Sequence, residues 1–197
     1  MRRDRRYKNW RWARTTVSVA IVAACGSTVP PVGPGQATAL ITGEVARRFS
    51  GTASFTESRG STTDRPAFNL SARTQLDGIE RELIFEMIGT ARPAEGRYRI
   101  RNATDVRREP MVFSAVYLET DSAFVGFASD SGTLTITRAN ATAVEGAFDL
   151  VASRYCLRHS DGTLEGSCDP LTPRSGVPVV GLSGSLSALR AVTTSAR

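Results

Sequence analysis

Few side chains in this sequence have types and spacing that could carry chemistry, and the three cysteines are the most informative of them. Cys25 stands near the N-terminus, whereas Cys156 and Cys168 lie close together near the C-terminus with His159 between them. A nearby pair of cysteines in an exported chain is typical of a disulfide bond. We therefore predict a Cys156–Cys168 disulfide, with two free thiols or half of a metal site as the alternatives.

The single histidine, His159, is followed directly by Ser160 and Asp161. The members of a catalytic triad normally come from separate elements, so three adjacent residues favour an exposed loop instead. Asp161, Glu165 and Asp169 offer oxygen ligands for Ca²⁺, but their spacing does not match an EF-hand, and solvated carboxylates are the better interpretation. The sequence thus predicts no catalytic residues, no metal, no cofactor and no enzyme, although acid/base hydrolysis by carboxylates stays open.

The N-terminus has the composition of an export signal. Seven cationic residues precede a short apolar stretch, and Val-Ala-Ala stands directly before Cys25. A basic segment, an apolar segment and small residues form signal-peptide anatomy, and the stretch is too short to span a bilayer. The run resembles the lipobox of bacterial lipoprotein precursors. That resemblance implies removal of residues 1–24 and acylation of Cys25, while a buried helix of a soluble protein is the alternative.

The residue after the cysteine bears on location. Gly26 stands where a retention signal for the inner membrane would place Asp. By resemblance to lipoproteins of two-membrane bacteria, this implies an outer-membrane protein, anchored by its lipid and exported by the general or the twin-arginine route.

The basic charge of the whole chain belongs to the predicted signal peptide. Residues 1–24 hold seven of the 25 basic residues and one of the 19 acidic residues, which leaves 18 of each. A mature chain without net charge gives no reason to expect nucleic acid as a partner.

The remainder divides into a tether and one domain. Residues 25–38 hold the lipidated cysteine and a linker rich in Pro and Gly, which suit neither a helix nor a ladder strand. Residues 39–197 show alternating apolar and polar positions between turn residues and lack a sustained helical period. We expect an all-β domain, an antiparallel β-sandwich or β-barrel of eight to nine strands. The predicted strands are 40–56, 67–75, 82–88, 96–102, 111–119, 122–128, 132–138, 143–155 and 178–190.

Two hairpins follow from the alternation. Residues 83–87 and 97–101 pair so that Phe85 meets Ile100 and Glu86 meets Arg99. Residues 132–137 pair with 144–150 around a turn at Asn140. In this second hairpin five apolar residues share the core face: Leu134, Ile136, Val144, Phe148 and Leu150. The last strand, 182–188, returns beside 147–155, and the disulfide closes the polar loop between them.

The second hairpin also carries a family resemblance. The segment GTLTIT, from Gly132, followed by VEGAFDL, from Val144, resembles a strand pair in uncharacterised bacterial lipoproteins with calycin-like or sandwich-like β domains. The resemblance covers about 25 residues and transfers no catalytic residue.

Two functions are compatible with these patterns. The first is a lipid-anchored envelope protein without catalysis, which binds a protein partner or supports the envelope. The second is a calycin-like carrier of a small apolar ligand, which predicts a large cavity lined by Phe85, Tyr98, Phe124, Phe127 and Phe148. A filled core would favour the first.

Overall fold

The computed structural model describes residues 32–59, 65–89, 92–107, 109–166, 168 and 179–191. In these ranges the chain forms ten strands and one helical turn. The strands are β1 (Gln36–Gly43), β2 (Arg47–Arg59), β3 (Pro66–Leu76), β4 (Ile79–Ile88), β5 (Gly96–Arg101), β6 (Val112–Thr120), β7 (Phe124–Ala139), β8 (Ala143–Arg158), β9 (Leu164–Glu165) and β10 (Val179–Arg190), and the helix is α1 (Ala103–Val106).

The strands close into a barrel. Eight of them pair in the order β1–β2–β3–β4–β6–β7–β8–β10, and β10 pairs back onto β1. The predicted all-β fold is confirmed. Because the chain enters the barrel at Gln36, we call that end the entry end, and the end where β1 finishes at Gly43 the far end.

Some predicted boundaries move. The first predicted strand, 40–56, is two strands, β1 and β2, because the chain turns at Gly43, whose φ is +99°. Two other predicted strands merge into β7, which continues through a register shift between Ser129 and Ser131. The domain begins at Gln36, so the last part of the predicted 25–38 tether belongs to β1, and residues 26–31 lie outside the described residues.

The predicted hairpin between residues 83–87 and 97–101 is wrong. β4 pairs with β3 and β6, so Phe85 meets Ala115 and Glu86 meets Ser114. β5 lies instead between β6 and β7, parallel to the first and antiparallel to the second. Alternation had fixed which side chains point inward, and these are buried as predicted, but it did not fix the neighbouring strand.

A buried serine closes the fork at the end of β5. The hydroxyl of Ser129 on β7 accepts the amide of Ala115 on β6 at 2.9 Å and donates to the carbonyl of Arg101 on β5 at 2.6 Å. Backbone groups that lose their ladder partner where three strands meet are thereby satisfied. The chain then turns through α1, whose first amides are capped by Asn102.

The β7–β8 hairpin has the predicted register. Leu134 lies opposite Phe148, and Asn140 accepts the amides of Thr142 and Ala143 at 2.9 Å in the turn. β10 returns beside β8, with Leu182 opposite Leu150. The five predicted core residues of the hairpin are all buried in the main core.

Aromatic rings fill the barrel. The ring centroids of Phe85 and Phe148 are 5.0 Å apart, and those of Tyr98 and Phe113 are 5.5 Å apart. A cavity between Phe85, Phe148 and residues of β1, β2, β3, β4 and β10 measures only about 10 Å³. This volume is at the threshold for one water molecule, so the core is closely packed around Phe85 and Phe148.

Candidate binding sites

A groove of about 380 Å³ lies on the outer face of the barrel. It crosses β5, β7, β8 and β10. Its lining comprises Arg97, Thr133, Thr135, Ala147, Phe148, Asp149, Ser183 and Gly184. The groove exists because the outward side chains of β7, β8 and β10 are short, whereas the arginine on β5 forms a raised rim.

A glycine keeps the base of this groove tight. A Cβ atom at Gly184 would lie 2.1 Å from the carbonyl oxygen of Thr38 and 2.7 Å from the ring of Phe148. Neither contact is sterically possible without moving the backbone or the ring, so only glycine allows β10 to pack this closely over the core.

The charges in the groove are of opposite sign and are not paired with each other. Arg97 donates to the hydroxyl of Thr133 at 3.5 Å, and the exposed carboxylate of Asp149 lies two strands away. Among the described residues neither side chain belongs to an ion pair, in contrast with Arg99, which pairs with Glu109 at 2.9 Å. The groove therefore offers one cation, one anion and several hydroxyls to a ligand.

A second polar site lies inside the far end of the barrel. Glu119 on β6 stands between Arg47 on β2 and Arg81 on β4, with nitrogen-to-oxygen distances of 3.3 Å and 3.5 Å from the two Nε atoms to its Oε1. The hydroxyl of Tyr117 donates to the same oxygen. We call these four residues the far-end cluster.

The far-end cluster is largely removed from solvent. The side chains of Arg81 and Glu119 are 7% and 10% exposed, while that of Arg47 is 34% exposed. Burial raises the pKa of Tyr117 far above its ordinary value, and the hydrogen bond to Glu119 raises it further. The Nε atoms of both arginines are buried and, among the described residues, have no hydrogen-bond acceptor.

Sequence reasoning missed this cluster, although a signal was present. Arg47 continues the inward positions that hold Phe49, and Arg81 those that hold Leu83. Charged residues at positions that alternation assigns to the core indicate a buried polar site.

The entry end holds a related group of charges. Glu57 accepts Arg92 Nε at 2.6 Å on Oε1 and Arg190 Nη2 at 3.3 Å on Oε2. The hydrogen bond from Arg92 lowers the pKa of the Glu57 carboxyl, and the charge of Arg190 acts in the same direction. Tyr98 donates to the carbonyl of Ala94 at 2.7 Å and thereby holds residues 92–95 at this end.

The predicted disulfide is present. Cys156, on β8, is bonded to Cys168, and their Cα atoms are 4.3 Å apart. The turn between them is exposed, as predicted. His159 Nε2 lies 3.3 Å from Glu165 Oε1, and Asp161 accepts the amide and the hydroxyl of Thr163, which lowers the pKa of its carboxyl.

This arrangement does not form a triad, because the histidine contacts Glu165 and not its neighbours. Asp169, the third carboxylate considered for Ca²⁺, lies outside the described residues. Within the described ranges no group of three potential metal ligands comes together.

Of the five aromatic residues that the carrier hypothesis places around a cavity, four are buried in the main core and Phe124 is not. Phe124 belongs to a small cluster on the outer face, with Tyr155 and Cys156, and does not line the interior. Phe127 is buried in the main core with Phe85, Tyr98 and Phe148. Positions 124 and 127 are three residues apart, so alternation places them on opposite faces of β7, and the register shift between Gly126 and Phe127 leaves out Tyr155 on β8.

Cys25, the predicted site of lipidation, and the predicted signal peptide lie outside the described residues. In the part of the chain that the structure describes, no helix has the length and apolarity required to cross a bilayer. No family model matches the chain, and no match was found among curated proteins or among solved structures.

Proposed function

We propose that this chain is a lipid-anchored protein of the bacterial cell envelope that binds a protein partner on the outer face of its barrel and does not catalyse a reaction. The observation that carries the proposal is the distribution of free space. The interior cavity measures about 10 Å³, whereas the outer groove measures about 380 Å³. The calycin-like carrier would need a pocket of about 300–1,000 Å³ within the barrel, and the cavity beside Phe85 and Phe148 is far smaller.

The anchor is supported by the sequence alone. The Val-Ala-Ala-Cys run after a basic and an apolar segment favours acylation of Cys25, and Gly26 favours the outer membrane. A Cys25→Ser variant should be released from the membrane fraction and lack the mass of the lipid. If the variant still carries lipid and stays with the membrane, the anchor is assigned to the wrong residue.

The chemistry of the groove defines the partner. Arg97 can bind an acidic group, and Asp149 can bind a hydrogen-bond donor or a cation. The hydroxyls between them can form hydrogen bonds with polar backbone or side-chain groups. A protein segment supplies all three within a short span. Sheet-edge pairing is the weaker mode here, because the closed ring of pairings leaves mainly the short strand β9 with an open side among the described strands.

The test is site-specific cross-linking in the native envelope. A photo-reactive side chain at Thr135, inside the groove, should give one discrete cross-linked protein, whereas the same group at the exposed Thr56 on β2 should give none. Arg97→Glu and Asp149→Arg should each abolish the product because they place like charges against the partner. Arg65→Glu, an equal charge change at an exposed residue before β3, is the matched control.

Two outcomes would overturn this function. Cross-linking that is unaffected by both groove variants would exclude the groove. Turnover of a hydrolase substrate that one Asp or Glu substitution abolishes would make the protein an enzyme. Native mass spectrometry of protein extracted from its envelope covers the remaining class, because an apolar molecule that co-purifies would favour the carrier.

A further inference from the structure

The far-end cluster has more positive than negative charge. Two guanidinium groups, of Arg47 and Arg81, share the single carboxylate of Glu119. Arg154, on β8 at the same end, pairs with two other carboxylates, those of Glu44 at 2.7 Å and Glu165 at 3.5 Å. Within the far-end cluster, two arginines therefore share one carboxylate, and no second described carboxylate lies within 4.0 Å of either.

The unbalanced charge lies where water cannot easily screen it. The Arg81 side chain is 7% exposed, and its Nε has no acceptor among the described residues. Burial of a charged group whose donors are unmet is costly, and proteins normally offset it with a counter-charge that also accepts hydrogen bonds. One carboxylate oxygen that already accepts Tyr117 does not serve both arginines.

We propose that Arg47 and Arg81 form a binding site for a compact oxyanion, such as a phosphate group, at the far end of the barrel. A guanidinium presents its donors in a planar fork that fits phosphate and carboxylate oxygens. Arg47, which is 34% exposed, gives the anion access from solvent, and Arg81 supplies the buried charge behind it. The site is independent of the outer groove and of its proposed partner.

The position of the site favours an anion from solution over a phosphate of the membrane. In the proposed function the lipid anchor at Cys25 precedes Gln36, where the chain enters the barrel. The far-end cluster lies at the opposite end of the strands, which is the end further from the anchor. Both sources present the same chemistry, so the experiment includes each of them separately.

Binding is measured by titration calorimetry of the domain with inorganic phosphate at constant ionic strength, with chloride as the reference anion. We expect saturable binding at one site and a rise in the melting temperature with phosphate. Arg47→Gln should weaken phosphate binding by about tenfold or more, because hydrogen bonds to a charged group are lost. Arg48→Gln removes the same charge from the next residue, which points outward and is exposed, and should leave binding unchanged.

A second arm uses vesicles with and without an anionic phospholipid. Free phosphate should compete with any vesicle binding that depends on Arg47. Vesicle binding that depends on Arg47 but does not respond to free phosphate would contradict the proposed site. Absence of saturable phosphate binding, or equal weakening by Arg47→Gln and Arg48→Gln, would overturn it. Because Arg47 is partly exposed, its variant should fold, and circular dichroism of both variants checks that a loss of binding is not a loss of structure.

Discussion

The two ends of the barrel each place one glutamate between two arginines, but they distribute the hydrogen bonds differently. At the entry end, Arg92 and Arg190 bind different oxygens of Glu57, at 2.6 Å and 3.3 Å. In the far-end cluster, both arginines approach the same oxygen of Glu119 and neither Nε makes a hydrogen bond with a described residue. Each oxygen of Glu57 therefore accepts one arginine, whereas a single oxygen of Glu119 faces both arginines and Tyr117.

Burial adds to the difference. Arg190 is 49% exposed at the entry end, so solvent screens its charge, whereas Arg81 at the far end is 7% exposed. Exposed ion pairs contribute little to stability, while a buried charge depends on its partner. Hydrogen-bond geometry and burial, more than the number of charges, therefore distinguish a structural ion pair from a site that can accept a ligand.

The largest expected effect follows from removing each carboxylate. Glu119→Ala should lower the free energy of unfolding by about 3–5 kcal/mol, because it leaves the buried Arg81 without a counter-charge. Glu57→Ala should lower it by about 1–2 kcal/mol, because water replaces the lost acceptor around its more exposed arginines. Urea unfolding of both variants at neutral pH measures the difference, and equal losses would contradict the comparison.

The response of the same two variants to phosphate also distinguishes the two ends of the barrel. Phosphate should restore part of the stability of Glu119→Ala, because an anion takes the place of the lost carboxylate beside Arg81. It should restore less in Glu57→Ala. Equal rescue of both variants would indicate general stabilisation by salt instead of a site.

An intermediate effect is expected from the disulfide, which fastens β8 at the far end alone. Replacing both Cys156 and Cys168 with Ala should cost about 3 kcal/mol, since the crosslink restricts the unfolded chain. Hydrogen exchange should become faster around β8 and β9 and stay unchanged near Glu57. Mass analysis after alkylation of the native protein checks the bond itself, and two alkylated thiols would refute it.

The smallest effects concern the dependence of stability on pH. The entry end should lose stability as the pH falls, and the far end should lose it as the pH rises. Since the folded pKa of Glu57 is lowered, its contribution is complete above the ordinary value of 4.5 and is lost as the pH falls through the folded value. The folded pKa of Tyr117 is raised, so its contribution is complete below 10.0 and is lost as the pH rises above that. Melting temperatures across pH should show Glu57→Gln flattening the acid limb and Tyr117→Phe the alkaline limb. Unchanged limbs in these variants would assign the losses to other groups.

Sequence alone predicted the strand pairing correctly where the alternation of side chains and a short turn indicate the same neighbouring strand. In the β7–β8 hairpin, the turn at Asn140 holds two consecutive strands at short range, so the register follows directly. For β5 no such constraint exists. Its alternation places Tyr98 and Ile100 inward, but any strand with matching alternation could have been its neighbour, and a parallel pairing through α1 leaves no local signal.

The candidate sites were less predictable for the same reason. The disulfide followed from counting cysteines in a chain with a predicted export signal. The outer groove depends on which short side chains come together from β7, β8 and β10, and this requires the complete register. The far-end cluster needed only the recognition that Arg81 and Glu119 occupy inward positions, because alternation continues through the charged residues.

The seam between β1 and β10 has a consequence for how the molecule forms. It pairs Gln36 with Ser187, so β1 cannot complete its pairing until β10, the last strand, is present. Pairings between residues so distant in sequence are slow to form, since most of the chain must be ordered before they do. Until then β1, β2 and β8 present open edges to other molecules, which is a risk for aggregation. A chain that ends before β10 would keep these edges open, so the loss of β10 should promote aggregation.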